Sequence, residues 1–125
     1  MSATSDLNKA NTVRFFNEVF NDGKMGVIDK LISPEYEFNG IQTSPDGTRQ
    51  WAEGLRAALP DLHFSIECIL AEDAHVALRW RMTATKAGKA GYITGTNILV
   101  FSNGQAITND QAGGSDFIEA TKPMQ

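Results

Sequence analysis

Residues 94–111 read TGTNILVFSNGQAITNDQ. Two β-rich runs, Asn97–Phe101 and Gln105–Asn109, flank Asn103-Gly104. A type I′ turn needs positive φ at both central residues, and Asn-Gly meets that need at least steric cost, so the pair marks a two-residue hairpin. Its far end gathers Asn97 on one strand and Asn109, Asp110 and Gln111 on the other. Strict pairing sets Ser102 against Gln105 and, counting outward, Asn97 against Asp110, so that both share one face. A bulge brings Gln111 to that place instead. Both registers are open at this level.

Working outward, the chain before the hairpin also reads as strand. In Leu62–Ala71, Leu62, Phe64, Ile66 and Cys68 alternate with His63, Ser65 and Glu67. In Val76–Thr85, Val76, Leu78, Trp80 and Met82 alternate with Ala77, Arg79, Arg81 and Thr83. Glu72-Asp73-Ala74 turns the chain between them, and Lys86–Gly91 reads as a glycine- and lysine-rich loop. Farther upstream the periodicity becomes helical. Ser5 or Asp6 caps a helix to about Asn21, with Leu7, Ala10, Val13, Phe16 and Phe20 as its apolar stripe. A short helix follows over about Met25–Ile32, then a short strand or loop over Tyr36–Thr43. Ser44-Pro45 starts a third helix with a cap and a first-turn proline, and Trp51, Leu55, Ala58 and Leu59 are expected to form its buried stripe. The tail Ser115–Gln125 is expected to be short and frayed. This order predicts one α+β domain over residues 1–125, with three N-terminal helices packed on a curved antiparallel sheet around a pocket.

With 125 residues and 42% hydrophobic content the chain fits an ordinary globular domain. A net charge of −4 and the lack of a basic cluster argue against nucleic acid as a partner. The single cysteine, Cys68, forms no internal disulfide and is expected to be a buried, inert thiol. The first ten residues lack an apolar signal core and no run approaches a membrane span, so a cytoplasmic, membrane-free protein is expected. Two histidines and one cysteine, far apart, give no metal-ligand spacing. His63 is a candidate acid–base by its ordinary pKa, although it shares strand parity with polar neighbours. Arg79, Arg81 and Glu67 read as a charged outer face.

Several local words resemble the SnoaL-like polyketide cyclase family of the nuclear transport factor 2-like superfamily. They are Phe15–Gly23 (FFNEVFNDG), Leu31–Tyr36 (LISPEY), Leu59–Phe64 (LPDLHF), Ala71-Glu72-Asp73, Leu78–Thr83 (LRWRMT), and Gly95–Ile98 through Asn103-Gly104-Gln105. The resemblance covers about residues 8 to 118. It implies a cone-shaped domain, a pocket between helices and sheet, frequent homodimerisation and no cofactor. It also implies an acid–base aspartate seven residues after the hairpin glycine, where this chain has Gln111, and a histidine or aspartate seven before it, where this chain has Asn97.

Two functions follow. In the first, a cofactor-free cyclase or isomerase acts on a carbonyl-containing, polyketide- or terpenoid-like molecule. Asp110 removes a proton α to the carbonyl, Asn97 and Gln111 stabilise the enolate, and His63 is a second acid–base. Asn109, Trp80, Trp51, Tyr36, Phe16 and Phe20 hold a small hydrophobic or polycyclic ligand against aromatic walls. In the second, the same pocket binds a ligand without turning it over. An epoxide hydrolase of this superfamily would need aspartates where Arg81 and Gln111 stand.

Overall fold

In the computed structural model, which describes residues 3–113, four two-residue turns build the sheet. Asn103 and Gly104 take φ of 52° and 79°, the left-handed pair that the hairpin reading requires. Asn39-Gly40 does the same with φ of 50° and 80°, and Ala87-Gly88 with 54° and 79°. The remaining turn, Asp73-Ala74, places Asp73 at φ 52°. The strands they connect are β1 (Ile32–Phe38), β2 (Ile41–Gln42), β3 (His63–Glu72), β4 (His75–Lys86), β5 (Lys89–Ser102) and β6 (Gln105–Ala112). The expected loop at Lys86–Gly91 is therefore the tip of a long hairpin, in which Lys86 pairs with Lys89.

The six strands lie in the order β2-β1-β6-β5-β4-β3 in one open, curved sheet. Its fold is α+β, as expected, but the sheet is mixed rather than wholly antiparallel. β1 runs parallel to β6, with Phe38 opposite Asn109. The two strands are far apart in sequence, so no tight turn forces them to run in opposite directions.

The helices are α1 (Ala3–Arg14), a π-helical segment (Phe15–Asn21), a 3₁₀ turn (Met25–Val27), α2 (Ile28–Leu31) and α3 (Pro45–Ala58). α3 starts as its sequence predicts: Ser44 Oγ accepts from Gly47 N at 3.0 Å, and Pro45 occupies the first turn. α1 differs from expectation. Its buried residues are Ser5, Asn8 and Thr12, while Leu7 is exposed. Turn carbonyls explain this. Asn8 Nδ2 donates to Asp73 O at 3.2 Å and Asn11 Nδ2 to Gly104 O at 2.8 Å, while the buried Thr12 hydroxyl is satisfied within the helix by Asn8 O at 2.9 Å. A helix lying over two turn tips needs donors there, so its polar residues face inward. The wider π winding then sets Phe15, Phe16, Val19 and Phe20 together against the sheet. The Phe15 and Phe20 rings meet edge to face at 5.3 Å, and Phe16 and Phe64 at 5.4 Å.

The inner sheet face follows β4 closely: Val76, Leu78, Trp80 and Met82 are all buried. β3 departs from simple alternation. Ile66 pairs with Trp80 but Cys68 with Arg79, so Glu67 is an extra, bulged residue. Beyond it the parity reverses, and Cys68 is exposed rather than buried. Glu67 meets Arg79 at 3.2 Å and Arg81 at 3.3 Å on the outer face, an exposed cluster that contributes little to stability. Among the described residues no helix is long and apolar enough to cross a membrane.

Asp61 ties the end of α3 to the rim of β4. Its carboxylate accepts from Thr85 Oγ1 at 2.6 Å and Thr85 N at 2.9 Å. The Thr85 hydroxyl first, and its amide second, hold the carboxyl below its ordinary value of 3.8. A depressed folded-state pKa means stabilisation that is present above the unfolded value and lost as pH falls through the folded one. Asp61→Ala is therefore expected to melt below wild type at neutral pH, with the gap closing as the pH falls below 3.8. Thermal melts across that range check it, and a gap independent of pH would contradict the assignment.

Candidate functional site

A cavity of about 250 Å³ opens between the π-helical segment, β1, α3 and the inner face of β5 and β6. Its walls are aromatic: Phe15, Phe16, Phe20, Phe38, Trp51 and Phe64. Its polar residues come mainly from the sheet, as Tyr36 on β1, Asn97 on β5, and Asn109 and Gln111 on β6. α3 adds Thr48.

The register of the Asn-Gly hairpin decides which β6 residues face this cavity. Ser102 pairs with Gln105 and Phe101 with Ala106, but Val100 pairs with Thr108, leaving Ile107 bulged. Asn97 consequently opposes Gln111, and Asp110 opposes Ile98. Ile98 is 52% exposed, and Asp110 lies beside it on the outer face. The carboxylate proposed from sequence as the base is thus outside the cavity. One bulged residue reverses the face of everything beyond it. Asp110→Asn is expected to leave ligand affinity and turnover within about 2-fold of wild type, as for an ordinary surface change. A large loss in either measurement would contradict this placement.

The cavity amides form a directional chain. The Trp80 indole N–H can only donate, so the amide oxygen of Asn97 must face it, at 2.5 Å. Asn97 Nδ2 then points away and donates to Asn109 Oδ1 at 2.8 Å and to Gln111 Oε1 at 3.4 Å. Asn109 Nδ2 in turn donates to the Tyr36 hydroxyl oxygen at 2.9 Å. That oxygen accepts, so its own hydrogen remains to be donated. Among the described residues it meets no acceptor, and Tyr36 lines the cavity. Burial, and to a smaller degree the negative charge of Asp110, push the Tyr36 phenol well above its ordinary pKa, against the opposing hydrogen bond from Asn109. The phenol is therefore a neutral donor throughout the physiological range. Asn39 anchors the rim: its Oδ1 accepts from Gln111 N at 2.7 Å and its N donates to Asn109 O at 2.9 Å.

Of the residues singled out in the sequence, Phe16, Phe20, Tyr36, Trp51, Asn97, Asn109 and Gln111 meet in this cavity. Three do not. Asp110 faces outward. His63 is exposed at the start of β3, where it pairs with Thr83 on the outer face, and it cannot reach the cavity. Trp80 is fully buried behind the wall, where it orients Asn97 rather than touching a ligand. The sequence does not single out the other lining residues, Phe15, Phe38, Thr43, Gly47, Thr48 and Phe64. Phe64 carried the inner-face parity of β3, and Thr48 stands one turn before Trp51 and Ala52, so both were findable. Phe15 depends on the π winding, which no local pattern announces. Among the described residues no group of three or more His, Cys, Asp or Glu side chains is placed to hold a metal ion.

Comparison with known proteins fits this architecture. The family described as SnoaL-like polyketide cyclase matches residues 10–109. No curated protein matches the chain in sequence. Among solved structures, a protein from Jannaschia sp. CCS1 assigned to the SnoaL-like polyketide cyclases superposes with a TM-score of 0.81 at 17% identity, covering 99% of this chain and 98% of its own. One from Acidithiobacillus ferrooxidans assigned as a polyketide cyclase gives 0.78 at 26% identity, covering 96% and 94%. AclR from Streptomyces galilaeus, assigned as a hydroxylase, gives 0.74 at 22% identity, covering 92% and 95%. These likenesses carry the fold, and the match over residues 10–109 carries the family. With helices laid on a curved mixed sheet around an aromatic, amide-lined cavity, this chain belongs to the SnoaL-like polyketide cyclase family, whose function is in general of cyclase or isomerase type.

Proposed function

We propose that the cavity binds a small, flat, carbonyl-bearing molecule and promotes its cyclisation or isomerisation by polarising the carbonyl through Tyr36, without a protein carboxylate as base. The observation that carries this reading is the direction of the Trp80–Asn97–Asn109–Tyr36 chain, which leaves a hydroxyl hydrogen to donate at an apolar cavity. A donor held in place before the reaction, in a water-poor site, stabilises charge developing on a carbonyl oxygen far better than water does. The cavity volume of about 250 Å³ suits a molecule of one or two rings, being at the low end of ligand pockets, which run from roughly 300 Å³.

Among the described residues no carboxylate or imidazole lines the cavity, and in this reading the nucleophilic carbon brings its own acidity. A 1,3-dicarbonyl unit does this through its enol. The enol carbon forms the new C–C bond to a second carbonyl carbon. The electrons of that C=O pass to its oxygen, which takes a proton through Tyr36. The enol O–H proton, released as its ketone re-forms, restores the phenol. The aromatic walls supply the folded substrate conformation, an orientational contribution that can amount to several kcal/mol.

The second reading, ligand binding without turnover, is favoured by the amides at Asn97 and Gln111, where the family resemblance places titratable groups. Measuring both binding and turnover of a 1,3-dicarbonyl probe separates the two. A probe that binds, is not converted, and is held more weakly by Tyr36→Phe supports simple binding.

A further inference from the structure

Thr48 sits in the first turn of α3, is only 5% exposed, and lines the cavity. Its hydroxyl oxygen is buried without a hydrogen-bond partner among the described residues. The contrast with the other buried polar side chains is sharp: Asn8, Thr12, Asn97 and Asn109 are all bonded. Thr12 bonds back to the carbonyl one turn before it, but the Thr48 hydroxyl makes no such bond to the Ser44 carbonyl, and Ser44 Oγ accepts from Gly47 N. A buried hydroxyl with no partner is costly, and native structures rarely keep one without a reason. One helical turn further on stands Trp51, which supplies aromatic surface to the same cavity.

We infer that Thr48 is a second polar anchor for the ligand, recognising an oxygen other than the one that Tyr36 takes. This rests on the carbonyl-site reading above and narrows its substrate class. The molecule is a small ring system bearing a carbonyl and, elsewhere on the ring, a hydroxyl or second carbonyl. A threonine hydroxyl both donates and accepts, so it serves either group. The sheet then binds one oxygen and the helix another, with the aromatic walls between, and the position of the second oxygen becomes a specificity determinant.

The test uses the whole protein with indanone and its ring-hydroxylated derivatives, titrated by calorimetry, together with thermal melts of the ligand-free protein. In wild type, at least one hydroxylated derivative is expected to bind about 5-fold tighter than indanone, the worth of one ordinary hydrogen bond. Thr48→Val keeps the side-chain shape and has similar helix propensity. It is expected to abolish that preference, so that hydroxylated and plain indanone bind alike, while ligand-free protein melts about 3 °C higher because the orphan hydroxyl is gone. Thr48→Ser keeps the hydroxyl and is expected to keep the preference. A preference that survives Thr48→Val, or a lower melting temperature for that variant, overturns this inference alone. Failure of the whole series to bind wild type overturns the carbonyl-site reading and this inference with it.

Discussion

Replacing Tyr36 by Phe is expected to lower turnover of a 1,3-dicarbonyl probe by about 10²–10³-fold, the usual loss when one oxyanion-stabilising donor is removed. Only the hydroxyl is lost, and the ring still fills its place beside the cavity. The variant should fold, with a penalty of about 1–2 kcal/mol because Asn109 Nδ2 is left buried without its acceptor. Binding should fall less than turnover, since the donor matters most when charge develops on the carbonyl oxygen. The pH profile adds a second check. Burial holds the phenol above its ordinary range, so the wild-type rate should show no alkaline loss from Tyr36 up to about pH 10. Turnover of Tyr36→Phe within about 3-fold of wild type would remove the phenol from the mechanism.

The largest expected effect on stability comes from a single methyl group at Gly95. A Cβ there would stand 2.3 Å from Cζ2 of Trp80 and 2.8 Å from Cε2 and Cη2. The indole cannot retreat. It is fully buried, packs edge-on to the Phe64 ring at 5.0 Å, and is tied to Asn97 by its N–H. Gly95→Ala is expected to cost about 3 kcal/mol or more, at the upper end of overpacking effects, and to lower the melting temperature by about 10 °C. Pairing it with Trp80→Phe, which removes the obstructing part of the indole, should recover part of the stability. It should not recover ligand binding, because Asn97 then has no fixed donor and the chain to Tyr36 loses its direction. A double-mutant cycle measures the coupling. Additive losses would show that Gly95 and Trp80 do not meet as described.

Gly95 also shows what a linear reading can and cannot see. The glycine and the tryptophan are paired residues of β5 and β4, and neither marks the other in the sequence. By contrast, features with a local cause were legible. Asn103-Gly104 named its turn, Ser44-Pro45 named a helix start, and the alternation of Val76, Leu78, Trp80 and Met82 named the inner face of β4. Asn39-Gly40 carries the same turn signal as Asn103-Gly104, yet Tyr36–Thr43 reads in sequence only as a short strand or loop, and the structure extends the strand before the turn back through Pro34 to Ile32. The cavity aromatics Phe16, Phe20 and Trp51 were also within reach, because helical spacing alone groups them.

The sequence by itself determined the order of helices and strands, the position of the main hairpin, and the amide-rich character of its far end, since each depends on neighbours within a few residues. Only the tertiary structure decided which side chains face the cavity. The bulges at Glu67 and Ile107 add one residue each to a strand whose side-chain period is two, and so turn Cys68 and Asp110 outward. The pairing of Asn97 with Gln111, the indole behind them and the buried hydroxyl of Thr48 arise from packing between distant segments. The physical reason is that strand register is settled by the summed fit of a whole face against the core, in which no single residue holds the deciding share.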